Sequence, residues 1–151
     1  MHNTEYRKYN VDDFDPAQFY DHHDSLEGCG PDEEKVRQLL EANQLQDALK
    51  ASLLSPPLGH QEQNLKDNST LLVAHVLHYS FKSSDLVSIQ EIIDNQLSID
   101  EVDILMKYIY KAMQLSSESS TCQSLLTWHS LLVAKFGHGA IVRVLAGRQR
   151  L

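Results

Sequence analysis

Apolar residues recur at three- and four-residue spacing from Pro31 almost to the end of the chain, and show no such period before it. That spacing lines one face of a helix, so everything from Pro31 onward should fold as helices that bury those faces on one another. Pro31, followed by Asp32, Glu33 and Glu34, predicts the first helix start. A proline there loses no hydrogen bond, and the acids favour the positive end of the helix dipole. Val36, Leu39 and Leu40 supply its apolar face. A second helix carries Leu45, Ala48, Leu49, Leu53 and Leu54 and stops at Pro56–Pro57. A third, roughly 61–82, is apolar nearly all round, with Leu65, Leu71, Leu72, Val73, Val76, Leu77 and Phe81. A helix of that kind is expected at the centre, covered by the others.

Ser84 is expected to cap a fourth helix bearing Leu86, Ile89, Ile92 and Ile93. Ser98-Ile99-Asp100-Glu101 reads as a capping box that opens a fifth, with Val102, Leu105, Met106, Ile109 and Met113 turned inward. Tyr108 and Lys111 fall on another face of it. The polar run Ser116–Ser120 reads as a loop. A sixth helix holds Leu125, Trp128, Leu132 and Phe136 and ends at Gly137; a short last one holds Ile141, Val142 and Leu145. With no strand signal and no repeat of fixed period, the pattern predicts an all-α fold. About seven short helices should form a compact bundle or a short αα-superhelix.

Residues 1–30 read as an extended arm in front of the 31–151 helical body. The arm holds seven acids (Glu5, Asp12, Asp13, Asp15, Asp21, Asp24, Glu27) against Arg7 and Lys8. It also holds Tyr6, Tyr9, Phe14, Phe19 and Tyr20. A merely solvating tail is poor in aromatics. Rings on a segment too short and charged to build its own core imply docking on something else. At the other end the charge reverses: no acid follows Glu118, while Lys135, Arg143, Arg148 and Arg150 do. A net charge of −8 divided in this way suits a protein that touches several partners.

Other chemistry is weakly supported. Cys29 and Cys122 do not form a disulfide framework, which fits a reducing compartment. No apolar run approaches the ~18–20 residues of a membrane span, and the start lacks the shape of a signal peptide, so a cytoplasmic protein is expected. His22-His23 with Asp21, Asp24 and Cys29 lacks zinc-ligand spacing. His75 and His78, three apart on one helix, read better as partner-facing or hydrogen-bonded than as ligands. Gly137-His138-Gly139 reads as a helix stop rather than an anion cradle. Asp100, Glu101 and Asp103 sit where a helix start attracts acids anyway. Three arginines without interleaved aromatics on an acidic chain argue against nucleic acid and for a protein partner. Trp128 is in register with Leu125 and Leu132 and reads as core. No nucleophile–base pair or metal spacing appears, so no enzyme, metal or cofactor is expected.

Several stretches carry a resemblance to a known family. The fifth helix, Val102-Asp103-Ile104-Leu105-Met106-Lys107-Tyr108-Ile109-Tyr110-Lys111, closely resembles a signature of subunit 5 of the actin-related protein 2/3 complex. So does Leu125-Leu126-Thr127-Trp128-His129, running on to Gly139-Ala140-Ile141-Val142-Arg143-Val144-Leu145. In the arm, Arg7-Lys8, then Val11-Asp12-Asp13-Phe14-Asp15, then Phe19 match. Gly30-Pro31-Asp32-Glu33, Ala48-Leu49 and Pro56-Pro57 follow in order.

The resemblance implies a non-catalytic scaffold of the complex that nucleates branched actin filaments, at the actin cytoskeleton. It implies a body seated against subunit 4 and the β-propeller subunit 1. The arm would reach actin-related protein 2 and tether it, and nucleotide would bind the actin-related proteins rather than this chain. The residues expected to meet partners are Arg7, Lys8, Val11, Phe14 and Phe19 in the arm. In the body they are Tyr108, Lys111, Arg143, Arg148 and Arg150. The alternative from another class is a free-standing helical adaptor that binds peptides in a superhelical groove.

Overall fold

A computed structural model of the chain describes residues 29–83, 86–147 and 150–151. Most of the arm, Ser84 and Arg148 therefore lie outside the described residues. Those described form seven helices and no strand, as the periodicity predicts. They are α1 (Glu33–Glu41), α2 (Leu45–Leu53), α3 (Gln63–Ser83), α4 (Leu86–Gln96), α5 (Ile99–Leu115), α6 (Ser119–Phe136) and α7 (Gly139–Ala146).

α1 starts two residues later than Pro31. Asp32 is the N-cap, and its carboxylate accepts from the Lys35 amide at 3.2 Å. A carboxylate satisfies an orphan helix N–H, which proline cannot do. At the other end Asn43 takes a left-handed φ of 57°. The Asn43 amide donates to Leu40 O and the Gln44 amide to Leu39 O, both at 2.9 Å. These two bonds make a Schellman turn that folds α2 back onto α1.

Gly30 lies where the chain crosses α3. Its φ is +82°, and a Cβ there would come within 2.7 Å of Ser69 Oγ. Its amide donates to Ser55 O at 3.1 Å, fastening the start of the body to the end of α2.

α3 is the central helix: it packs on α2, α4, α5 and α6. Its buried face mixes Val73, Ala74, Val76 and Leu77 with Ser69, Thr70 and Ser80. Each of these hydroxyls donates to a carbonyl one turn back, at 2.7–2.8 Å, so none is left unsatisfied. Their small size lets neighbouring helices come close. Not every apolar residue of α3 is covered, since Leu71 is 49% exposed.

The Ser98–Glu101 capping box is formed in both directions, at 2.8 and 3.3 Å. The loop ahead of α6 is shorter than the polar run implied. Ser119 and Ser120 already belong to α6, and Glu118 precedes it as N-cap. The Glu118 carboxylate accepts from Ser120 Oγ at 2.6 Å and Thr121 Oγ1 at 3.1 Å, which lowers its pKa. Gly137 ends α6 with φ 74° and returns its amide to Val133 O at 2.9 Å. Trp128 is fully buried, in keeping with its register, and its indole N–H donates to Leu77 O at 3.1 Å. The last residues return to the body. Arg150 O accepts from the Gly59 amide and from Lys66 Nζ, both at 3.1 Å, and Leu151 packs against the core.

Candidate partner-docking surfaces

The last helix is apolar on two sides. α7 packs on α5 and α6 through buried Ala140 and half-buried Ile141 and Val144. Its other side presents Val142 and Leu145, 62% and 73% exposed, one turn apart. A helix that needs only one apolar side to hold its place carries a second one uncovered. Two neighbouring exposed apolar residues make this side of α7 a candidate docking surface.

Arg143 stands between them and, although no acid follows Glu118 in sequence, it is paired within the molecule. Its Nε donates to both carboxylate oxygens of Asp103, at 2.9 and 2.7 Å. The bond to Asp103, more than the charge of Asp103 or Asp100, raises the guanidinium pKa. This pair ties α7 to α5 at the surface. Lys107, one turn beyond Asp103, lies under the end of α7: a Cβ on Gly147 would sit 3.2 Å from its Nζ. Burial holds the Lys107 ammonium below the usual lysine range, against the opposing pull of Asp103.

Two other expected contact residues are used inside the molecule. Tyr108 is fully buried, a correction to the outward face expected for it. α5 packs on α2, α3, α6 and α7, so more than one of its faces is covered and the second face is core as well. Burial also raises the Tyr108 phenol pKa, and its hydroxyl has no hydrogen-bond partner among the described residues. Lys111 is mostly covered and pairs with Asp67 of α3 at 3.7 Å. Its charge and, more strongly, burial lower the pKa of nearby Lys66. Lys66 in turn holds Arg150 O, so the structure gathers Lys66, Lys111 and the Arg150 backbone at one end of α3. The Arg150 residue itself is exposed. Arg148 and the arm residues Arg7, Lys8, Val11, Phe14 and Phe19 fall outside the described residues.

The histidines separate. His78 Nδ1 meets Ser124 Oγ at 2.8 Å, and Ser124 Oγ is also 3.0 Å from Ser120 O. The His78–Ser124 bond joins α3 to α6. His129 Nε2 is 2.9 Å from Tyr110 Oη and joins α6 to α5. His75 faces outward beside Tyr79, with ring centroids 6.5 Å apart. Among the described residues, no three His, Cys, Asp or Glu side chains are grouped to hold a metal ion, and no helix is long and apolar enough to cross a membrane.

Sequence reasoning missed Asp103, Asp67 and Lys66 as partners of the basic residues. Asp103–Arg143 and Asp67–Lys111 cross between helices and Lys66 reaches the C-terminal tail, contacts that only the tertiary fold brings together.

Comparison with known proteins agrees with an interaction fold. The model of the 16 kDa subunit of the ARP2/3 complex (p16-Arc) matches residues 5–151. The chain is 57% identical over 151 residues to "Probable actin-related protein 2/3 complex subunit 5" of Caenorhabditis elegans, covering 100% of both chains. It is 37% identical over 145 residues to "Actin-related protein 2/3 complex subunit 5-C" of Xenopus laevis, covering 95% of this chain and 93% of the other. It is 33% identical over 150 residues to the human "Actin-related protein 2/3 complex subunit 5-like protein", covering 97% and 94%. With an all-helical body, an uncovered apolar side on α7 and a match that runs nearly end to end, the chain belongs to the family of the 16 kDa (p16-Arc) subunit of the ARP2/3 complex.

Proposed function

We propose that this chain is a non-catalytic structural subunit of the actin-related protein 2/3 complex, working at the actin cytoskeleton in the cytoplasm. In this reading the body docks on subunit 4 and the β-propeller subunit 1, and the arm tethers actin-related protein 2. It needs no cofactor of its own. The observation that carries the body's part is the uncovered pair Val142 and Leu145 on α7. The arm's part rests on its aromatics and on its likeness to the family, through Arg7, Lys8, Val11, Phe14 and Phe19.

The Asp103–Arg143 pair changes how this reading is tested. Reversing Arg143 would set a carboxylate against Asp103 and disturb α7 itself, which confounds folding with docking. Val142→Asp with Leu145→Asp avoids that, since both residues are exposed and make no packing contact that the body needs. The double variant should keep its helix content and unfolding temperature but drop out of the complex. Normal incorporation of the variant would move the docking face off α7.

A further inference from the structure

Both α1 and α3 pack on α2, but they scarcely meet each other. An open groove of about 760 Å³ remains between them. Its floor is mostly apolar, with Leu40 from α1 and Leu71, Leu72 and Tyr79 from α3, and the polar Asn68 and His75 of α3 lie among them. Leu71 is half-exposed although it lies in the middle of the most central helix of the body. Nothing in the body's own packing needs a leucine there.

The α1 side carries net negative charge. Glu33 and Glu41 line the groove and Glu34 lines the depression next to it on α1, while Arg37 pairs with Glu33 at 2.6 Å, which leaves Glu41 and Glu34 as the surplus. Along α3 the groove runs from Asn68 to Tyr79, about 16 Å at ~1.5 Å per residue, or roughly three helical turns. An apolar floor of that length with a carboxylate edge is shaped for an amphipathic helix bearing positive charge beside its apolar stripe.

We propose that the α1–α3 groove docks a basic amphipathic helix of a partner protein. The site lies away from α7, because α1 packs chiefly on α2 while α7 packs on α5 and α6. It is therefore a second contact, additional to the one placed on the last helix. The chain's own residues 1–28 are a poor occupant, since their seven acids would meet the carboxylates of the rim. The proposal rests on the reading that the chain works inside a hetero-oligomeric complex.

The test places the photo-crosslinking residue p-benzoylphenylalanine at Leu71 of the full chain, assembled into its complex and irradiated. Leu71 is exposed enough to accept the change without loss of core. The expected product is a crosslink to another polypeptide, within a segment carrying Lys or Arg beside apolar residues at helical spacing. Adding Glu34→Lys and Glu41→Lys should cut the crosslink yield at least fivefold at low salt, with helix content and presence in the complex unchanged. The proposal is overturned by a crosslink to residues 1–28, to a second copy of the chain, or to an acidic or non-amphipathic segment. It is equally overturned by no crosslink, or by a yield that ignores the charge reversal. Failure of the α7 reading looks different: there the Val142 and Leu145 variants stay in the complex.

Discussion

The indole N–H of Trp128 donates to the main-chain carbonyl of Leu77 across the α6–α3 contact, at 3.1 Å, with both residues fully buried. Leu77 sits within α3, so the bond pins α6 onto the central helix at a chosen height rather than leaving the two to slide. Trp128→Phe keeps most of the apolar bulk and loses the bond. It should cost about 1–2 kcal/mol in denaturant unfolding. Trp128→Ala should cost roughly 3–5 kcal/mol because it also opens a cavity. A Trp128→Phe variant as stable as the wild type would mean the hydrogen bond contributes nothing.

Tyr108 offers the opposite case. Its ring fills the core but its hydroxyl is buried without a partner among the described residues. Burying a hydroxyl without a bond is unfavourable, so Tyr108→Phe should leave stability unchanged or raise it by up to ~1 kcal/mol. A loss greater than 1 kcal/mol in the same unfolding assay, on the order of a hydrogen bond, would show that the hydroxyl is satisfied after all.

Gly30 is held by two separate constraints, a left-handed backbone and a 2.7 Å approach to Ser69 Oγ. Gly30→Ala should destabilise by more than the ~1–2 kcal/mol of the backbone conformation alone. Ser69→Ala in that background should recover part of the loss, leaving the backbone part. Thermal melts of the two single variants and the double variant separate the terms. Full recovery, or none, would contradict this division.

The arm's role is tested by its rings. Burying a phenylalanine contributes on the order of 1.5–3 kcal/mol. Phe14→Ala with Phe19→Ala should weaken retention of actin-related protein 2 in the purified complex, with the subunit itself still incorporated. Deleting residues 1–27 should leave the melting temperature of the body almost unchanged. If the double variant retains that protein at wild-type level, the anchors lie elsewhere in the arm.

What could be read from the chain follows from which forces are local. The seven helices, the Ser98–Glu101 box and the burial of Trp128 all depend on spacing or on neighbours within a few residues, and all were legible. The exact start of α1 was not, because Pro31 and Asp32 are both good start residues and only the cap geometry chooses between them. Tyr108 was misread because periodicity assigns one inward face per helix, while α5 is enclosed on several sides. Arg143 looked unpaired because its acid lies forty residues away, on a helix that only the tertiary fold brings alongside. The groove between α1 and α3 was invisible for the same reason: it exists where two helices share a neighbour and fail to meet.

The most direct test of the subunit reading is the native mass of the tagged full chain purified from cytosol. The expected result is one copy of the chain in a large stoichiometric assembly that also contains actin-related protein 2, with little of it at the 17.2 kDa of the isolated chain. A chain that elutes chiefly as a 17.2 kDa monomer, or with substoichiometric peptide partners, would contradict it and favour a free-standing adaptor.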